Sequence, residues 1–579
     1  MIIYKCENCN LEVETSECPI CHNRTALLRS EIYWSTVFNT PSFFKTVGDE
    51  ECKYISTDIR PVFPEERLLI EVLLGKSMEF AGKSVWNLGG SLYIIDGKKL
   101  TLKYKELTKR DPNEVIAELE KYKDANQLYV DSFFEEKYIK SFIEINKPRL
   151  SIITYEAKQY IKDVAGDKDP AEMFVSFSGG KDSTVTSHLV MEALGTEKIV
   201  HIYGDTTLEY PTTYNYVKRF RKQHNETPVL VARNNEQNFN NLCELIGPPS
   251  RVLRWCCTVF KTGAITKKIE STFKDKKQIT TFYGIRRSES KSRSKYDRES
   301  DSPKITKQKV VSPIIDWIDF DIWLYLISNK LDFNYAYRQG FARVGCWCCP
   351  NNSGWSGYLS AIYMNKQYKE FYDILYNFAK QVGKEDWKEY VDEGSWKARQ
   401  GGNGLSYANN SVVEFKPCAF DDDSINFDLL KPIDEMLYEL FKPFGTLNFE
   451  MGNKRLNEVY VLDKKTNQPI FKLTGKVGST ELKVTILKKD GRYKLRKIVE
   501  SYIKCQITKF QTCIACSACQ SVCRFDALTV SNLDPDVVQN RSILYNINSN
   551  KCVGCLECVT HFDSGCYMKK VLRKSSSKE

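Results

Sequence analysis

Histidine is nearly missing from this chain. Its 579 residues contain five, and no two stand four apart as a helical metal pair would require. Of these, His188 and His201 read as packing residues. Long apolar runs are missing too: no window approaches the roughly 18 apolar residues of a membrane helix. The N-terminus, Met1-Ile2-Ile3-Tyr4-Lys5-Cys6, enters a cysteine motif at once and leaves no room for an apolar signal core. The expectation is a cytoplasmic protein with no membrane partner, in a reducing compartment where thiols persist as metal ligands. Charge of one sign is also scarce: 84 Lys plus Arg against 74 Asp plus Glu leaves +10, which permits an anionic partner without requiring one. With 42% hydrophobic and 27% charged residues, wholesale disorder is excluded. What the chain has in abundance is cysteine, 21 in all and mostly at short spacings, which points to metal ligation before disulfides.

At about 150 residues per domain, a chain of this length holds about four domains. Composition divides it into cysteine knuckles at 1–30, a small β-rich module at 31–110, a helical connector at 111–165 and a central domain at 166–392. A Gly/Asn/Ser-rich linker at 393–424 follows, then a small α+β domain at 425–505, a cysteine-rich domain at 506–570 and a basic tail at 571–579. In the central domain an apolar strand, Met173-Phe174-Val175, runs into Ser178-Gly179-Gly180-Lys181-Asp182-Ser183. A helical pattern follows, then a second strand, Lys198–Tyr203, ending at Gly204-Asp205. Strand, glycine turn, helix, strand is the signature of a parallel sheet, and the fold class expected is α/β.

The glycine turn carries chemistry. Gly179 and Gly180 let the backbone approach phosphate closely, and the first-turn N–H groups of the helix are donors to it. Ser178 and Ser183 add hydroxyls, Lys181 neutralises phosphate charge, and Asp182 is placed to hold Mg²⁺ on a pyrophosphate. The spacing is not that of a Walker A loop, so attack at the γ-phosphate is not the natural reading. A Ser/Gly turn with a capping serine is the bland alternative. For Asp205 the alternative is a helix N-cap, and for Arg286 and Arg287 a solvated basic loop.

Ser178–Ser183 resembles the PP-loop of ATP pyrophosphatases and phosphoadenosine-phosphosulfate (PAPS) reductases. In that family's order, Asp205-Thr206-Thr207-Leu208-Glu209-Tyr210-Pro211 resembles its "DTG-x-E-[FY]-P" strand end, and Arg254-Trp255-Cys256-Cys257 its paired-cysteine motif. Gly284-Ile285-Arg286-Arg287-Ser288-Glu289-Ser290 resembles its "G-x-R-x-x-E-S" loop, and Val344-Gly345-Cys346-Trp347-Cys348-Cys349-Pro350 its second cysteine motif. The resemblance implies a PP-loop core of the adenine nucleotide alpha hydrolase type. The loop would bind the phosphates or sulfate of ATP or a sulfonucleotide, and Arg286 and Arg287 would clamp the anionic group that reacts. Catalytic roles fall to Lys181, Asp182, Asp205, Arg286 and Arg287. Residues 60–105 resemble an RNA-binding module of the PUA type, with an interdomain spacer as the competing reading.

Three cysteine sets follow. Cys6-x2-Cys9-x8-Cys18-x2-Cys21 is a pair of knuckles close enough for a tetrahedral site, read as structural Zn²⁺ with rubredoxin-like iron as the alternative. Cys513-x2-Cys516-x2-Cys519-x3-Cys523 matches the bacterial ferredoxin run, with Arg524 in place of proline; Cys552-x2-Cys555-x2-Cys558 opens a second run, completed by Cys566 after seven residues. Resemblance to two-cluster ferredoxins implies one [4Fe–4S] on Cys513, Cys516, Cys519 and Cys566, and another on Cys552, Cys555, Cys558 and Cys523. Resemblance to adenylylsulfate (APS) reductases implies a third on Cys256, Cys257, Cys346 and Cys349, with Cys348 a potential substitute and zinc the alternative metal. Cys52, Cys243, Cys418 and Cys505 read, with Cys348, as buried small hydrophobes.

Three functions compete. The favoured one is an iron–sulfur enzyme that cleaves ATP to AMP and supports sulfur transfer, with DNA, RNA or a sulfur-donor protein as partner. Electrons would come from an external donor through its own ferredoxin domain. The second is sulfonucleotide reduction with release of sulfite; it lacks the family's C-terminal "E-C-G-x-H" thiol motif. The third is a non-enzymatic redox or nucleic-acid-binding scaffold.

Overall fold

Met173–Phe177 is buried at four of its five positions, as a strand covered on both faces by helices must be. It is β1 of a six-stranded sheet, and the computed structural model surrounds it with α1 (Lys181–Leu194), β2 (Val200–Asp205), α2 (Pro211–Gln223) and β3 (Val229–Arg233). Later come β4 (Ile279–Tyr283), β5 (Glu299–Asp301), β6 (Gln308–Val311) and α3 (Asp319–Ser328). Strand order is β3-β2-β1-β4-β6-β5. The pairs β1–β2, β1–β4 and β4–β6 are parallel, and β5 runs antiparallel to β6. The protein is thus mixed α/β with a parallel-sheet core. The chain leaves β1 for β2 on one side and returns to β4 on the other. The boundary between β1 and β4 is therefore the switch point at which open sheets of this kind bind ligands, at the carboxyl ends of the strands.

The structure describes residues 2–6, 8, 9, 11–13, 15, 17–23, 25–290, 293–301, 308–398, 413–533, 542–561, 566, 567 and 572–574. The chain divides into two units, one of residues 1–204, 208–231 and 273–368, the other of 205–207, 232–272 and 369–579. In the first unit, Leu11–Val13, Ile2–Cys6 and Ala26–Ser30 form a small antiparallel sheet. Three further antiparallel sheets and the helix Pro64–Leu73 occupy the stretch read as β-rich. The helices Pro112–Ser132 and Lys137–Ala165 follow, the first capped by Asp111, whose carboxylate accepts the Asn113 N–H at 2.7 Å. Lys137–Ala165 buries Phe142, Ala157 and Ile161 in the same core as β1, α1 and α3.

In the second unit a seven-stranded sheet runs Thr446–Asn448, Glu458–Leu462, Pro469–Thr474, Glu481–Ile486, Asp421–Asp428, Val413–Cys418, Leu572–Lys574. The helices Glu435–Phe441 and Arg496–Thr512 share its core, as do the hairpin strands Leu528–Asn532 and Ile543–Ile547 of the cysteine-rich region. Two segments differ from their sequence reading. The expected linker at 393–424 supplies the strands from Val413 onward, while its residues 399–412 lie outside the described residues. The expected tail supplies Leu572–Lys574, paired in parallel with Val413–Phe415; residues 571 and 575–579 lie outside the described residues. Among the described residues no helix is long and apolar enough to cross a membrane.

Candidate functional site

The loop after β1 is held open by its own side chains. The Ser178 N–H donates to Ser183 Oγ at 3.2 Å, and that hydroxyl donates to the Gly180 carbonyl at 2.9 Å. Gly179 has φ +70°, and a Cβ there would fall 3.0 Å from Thr213 Cγ2 of α2. Two residues that sequence reasoning missed fasten the loop from outside: Asn334 Nδ2 donates to the Gly179 carbonyl at 3.2 Å, and the Lys181 N–H donates to the Tyr337 hydroxyl at 3.0 Å.

The loop after β4 meets it across the switch point. Gly284 is required there, because a Cβ would fall 2.7 Å from the Asp182 carbonyl carbon and oxygen. Beyond it, Arg286 Nε donates to Asp182 Oδ1 and Nη2 to Asp319 Oδ1, each at 2.6 Å. Lys181 Nζ lies 3.1 Å from Asp182 Oδ2 and 3.2 Å from Asp319 Oδ1. Lys181 and Arg286 are buried. Burial opposes charge on Asp182, but Arg286 and Lys181 outweigh it and hold the carboxyl at about 2. Burial likewise opposes charge on Lys181 and Arg286, and Asp182 and Asp319 push both groups up. The result is a cluster of two cations and two carboxyl groups facing the carboxyl ends of β1 and β4.

A third carboxylate comes from the β-rich module. Asp58 accepts the N–H groups of Asp319 and Phe320, both at 2.9 Å, and so caps α3. Burial, then the Asp319 carboxylate, raise its pKa to about 7 against the pull of Arg286. The acidic start of α3, Asp319-Phe320-Asp321, is a helix-start signal that could have flagged Asp319. Nothing local marks Asp58.

The two adjacent arginines do not share a target. Arg287 binds the Asp316 carboxylate through Nη1 and the Tyr296 carbonyl through Nε at 3.1 Å, and it is buried there. Asp316 and Arg287 also lie beside Tyr4 of the N-terminal sheet, whose pKa rises to about 12 through burial and Asp316. Arg286 is extended (φ −126°, ψ 141°) and the next residue opens a tight turn, so Arg286 enters the site while Arg287 ties Asp316 to the Tyr296 carbonyl.

Asp205 ends β2, two residues past Tyr203, which pairs with Phe177 of β1. It is buried; its Oδ1 accepts the Thr207 N–H at 2.8 Å, and its Oδ2 lies 3.5 Å from Arg233 Nη1.

The N-terminal cysteines fit one metal ion. The sulfurs of Cys6, Cys9, Cys18 and Cys21 all lie within 4.8 Å of one another, against about 3.8 Å between ligands of a tetrahedral Zn–S₄ centre. The Cys9 N–H donates to Cys6 Sγ at 3.3 Å, and the Asn23 N–H leads the groups that lower the Cys21 thiol to about 6.

The C-terminal cysteines separate into two groups. Cys523, Cys552, Cys555 and Cys558 line one apolar cavity with Phe525, Leu528 and Leu556. Cys566 instead shares the surroundings of Tyr567 with Cys516 and Cys519. Lys509, buried on Arg496–Thr512, lies among Cys519, Cys505, Cys558 and Cys566 and donates to the Cys558 carbonyl. Burial raises the Cys558 and Cys505 thiols and outweighs Lys509, which pulls both down. Four thiols per group is the donor set of a [4Fe–4S] cluster, so these residues could hold such groups.

The paired-cysteine motif belongs to the second unit. Trp255 is buried and donates to the Gly247 carbonyl at 3.0 Å; Cys257 opens a π-helical turn ending at Thr262. That turn packs on the helix Ala518–Val522. A Cβ at Gly263 would fall 2.4 Å from the Ser521 carbonyl oxygen, Gln237 Nε2 donates to Ser517 Oγ at 2.7 Å, and Thr258 Oγ1 and His561 Nε2 are 3.2 Å apart. Cys346–Cys349 lies in the first unit, where Cys346 bridges Glu209 and Asn352 Nδ2 donates to the Cys346 and Trp347 carbonyls.

Comparison with known proteins agrees with the central sheet. Residues 172–352 match the family model of the phosphoadenosine phosphosulfate reductase domain. An uncharacterised protein of Methanocaldococcus jannaschii is 34% identical over 184 residues, covering 32% of this chain and 37% of that one. A second from the same organism is 31% identical over 242 residues, covering 41% and 54%. The adenosine 5'-phosphosulfate reductase of Neisseria meningitidis is 26% identical over 204 residues, 34% of this chain and 77% of that enzyme. The chain therefore spans about half or less of the two archaeal relatives.

Proposed function

We propose that this chain is an iron–sulfur enzyme that binds ATP at the β1–β4 switch point, cleaves it to AMP and pyrophosphate, and supports sulfur transfer to an acceptor such as nucleic acid. The observation that carries the reading is the meeting of the Ser178–Ser183 loop with Arg286. Phosphate would take the N–H groups of the loop together with Lys181 and Arg286, both fixed and buried, so little reorganisation is needed as charge develops on the leaving pyrophosphate. Asp182, ionised at every working pH, would hold Mg²⁺, which supplies further charge neutralisation. Asp205 would face the nucleotide from the end of β2. Arg287 is left a structural role.

Cys256, Cys257, Cys346 and Cys349 would hold one [4Fe–4S], the C-terminal domain two, and the N-terminal knuckles Zn²⁺. The clusters supply one-electron reducing equivalents. The packing of Ala518–Val522 on the turn that begins at Cys257 supports delivery from the ferredoxin-like region to the paired cysteines.

The test is AMP and pyrophosphate release from ATP by anaerobically prepared protein, with iron and zinc counted per chain. ATP binding without turnover, in the presence of reductant and candidate acceptors, would leave a nucleotide-binding scaffold instead. The likeness to an adenosine 5'-phosphosulfate reductase favours one second reading, reduction of a sulfonucleotide, and sulfite release from APS or PAPS in the same assay would establish it.

A further inference from the structure

Of the 21 cysteines only Cys555 is exposed among the described residues. It stands in the loop Cys552–Glu557, whose backbone is gripped by cations. Lys464 Nζ donates to the Cys552 carbonyl, and Arg492 Nη1 donates to the Gly554 carbonyl at 2.8 Å. Lys551 is exposed next to Cys552, and Arg524 reaches Glu557 at 3.0 Å while lying close enough to Cys555 to influence its thiol. Between these charges the surface is apolar: Val553 is 59% exposed and Phe525 41%. A basic rim around an apolar centre, with a metal-ligand sulfur at the surface, has the composition of a small, charge-steered contact.

The other cysteine run is closed off. Cys516, Ser517 and Ser521 are buried, and Gln237, Asn234 and Gly263 cover the helix between them. That run therefore lies against the Cys257 turn, while the Cys555 loop faces solvent.

We propose that the loop Cys552–Glu557 is the docking face for a small acidic one-electron carrier protein. Electrons arrive at the cluster on Cys552, Cys555, Cys558 and Cys523 and leave through the one on Cys513, Cys516, Cys519 and Cys566. This rests on the reading of those eight cysteines as two [4Fe–4S] sites. In each encounter the carrier is oxidised by one electron and the exposed cluster is reduced by one; no bond is made or broken. Such contacts bury less than about 1,200 Å², so the loop and its rim are area enough.

The probe is an acidic flavodoxin, with the full-length, reconstituted protein and the charge reversals Lys551→Glu and Lys551→Glu/Arg492→Glu. Affinity for oxidised flavodoxin, read by flavin fluorescence anisotropy, is expected to fall about tenfold or more in the double variant. Reduction of the clusters by flavodoxin hydroquinone should slow by a similar factor and lose its dependence on ionic strength. Reduction by dithionite and iron per chain should not change. Unaltered affinity and rate in an iron-replete variant overturn the docking face, and so does a slowing that dithionite shares. Wild-type protein that takes up no iron overturns the cluster reading instead. Should the double variant lose iron, Lys551→Glu alone decides, since its side chain lies in solvent.

Discussion

Asp58 Oδ2 accepts the backbone N–H of Asp319 at 2.9 Å, so a residue of the small β-rich module caps the helix whose first carboxylate holds Arg286. The module is thereby part of the site's frame. Because the Asp58 carboxyl is raised from 3.8 to about 7, the folded state holds a proton that the unfolded state releases. Its contribution to stability is complete below about pH 4 and is lost as pH rises through about 7. Asp58→Asn should flatten the melting temperature profile between those limits, and the gap from wild type should move in favour of the variant at pH 8. Thermal melts across pH 5–8 check this; parallel profiles would refute it.

Gly284 touches the backbone of Asp182 and Ser183, which cannot swing aside as a side chain could. Gly284→Ala should lower ATP affinity about tenfold or more while metal content stays fixed. Gly357→Ala, on a helix with open space at its Cβ, is the control and should be neutral or slightly stabilising. Equal affinities in the two variants would mean that the approach of the two loops is not needed for binding.

Thr207, two residues after Asp205, adopts φ +63°, a conformation that β-branched residues resist. The Asp205 carboxylate holds it there by accepting its N–H, and strain of this kind gathers at functional sites. Thr207→Gly should relieve the strain and raise stability by about 1 kcal/mol. Calorimetry reads the gain, and a loss of stability would show that the threonine side chain is needed for packing.

The parts of the site that sequence reasoning found are those whose constraints are local. A glycine turn between an apolar strand and a helix, or cysteines two residues apart, declares itself within ten residues. Asn334, Tyr337 and Asp58 gave no such sign, because each acts on a partner more than 100 residues away. The Arg286-Arg287 pair shows the complementary error. Adjacent identical residues look like one clamp, but the tight turn that opens at Arg287 sends the second to Asp316. Residues 413–418 read as linker because their short, mixed sequence carries little strand signal by itself. Pairing with Asp421–Asp428 and Leu572–Lys574 supplies it.

Arg286 neutralises two carboxylates at once, so its removal leaves both facing a dry site with Lys181 alone. Breaking a buried pair from one side costs about 3–5 kcal/mol, and Arg286→Ala should lower the melting temperature as well as abolish AMP formation. Arg286→Lys retains the charge but cannot span Asp182 and Asp319 together. It should recover most of the stability and little of the turnover. Asp182→Asn should lose turnover with iron content intact. If Arg286→Lys restored the rate, charge alone would suffice and the forked geometry would be irrelevant.

The metal assignments are separable because each cysteine set should lose its own metal. Cys9→Ser should remove zinc and leave iron; the site then fails by loss of a folding ligand, so the N-terminal sheet should become protease-sensitive while the central domain melts as before. Cys256→Ser should lower iron by about one cluster in three, whereas lost zinc with unchanged iron would make the central site a zinc centre. Cys523→Ser and Cys566→Ser discriminate further. Cys523 shares its cavity with Cys552, Cys555 and Cys558, and Cys566 shares the surroundings of Tyr567 with Cys516 and Cys519. The two substitutions should therefore perturb different clusters, distinguishable by electron paramagnetic resonance of the reduced protein. Only the first should alter the cluster that an external carrier reduces fastest. If Cys523→Ser instead altered the same cluster as Cys516→Ser, and Cys566→Ser the same cluster as Cys555→Ser, each fourth cysteine would close the run in which it stands.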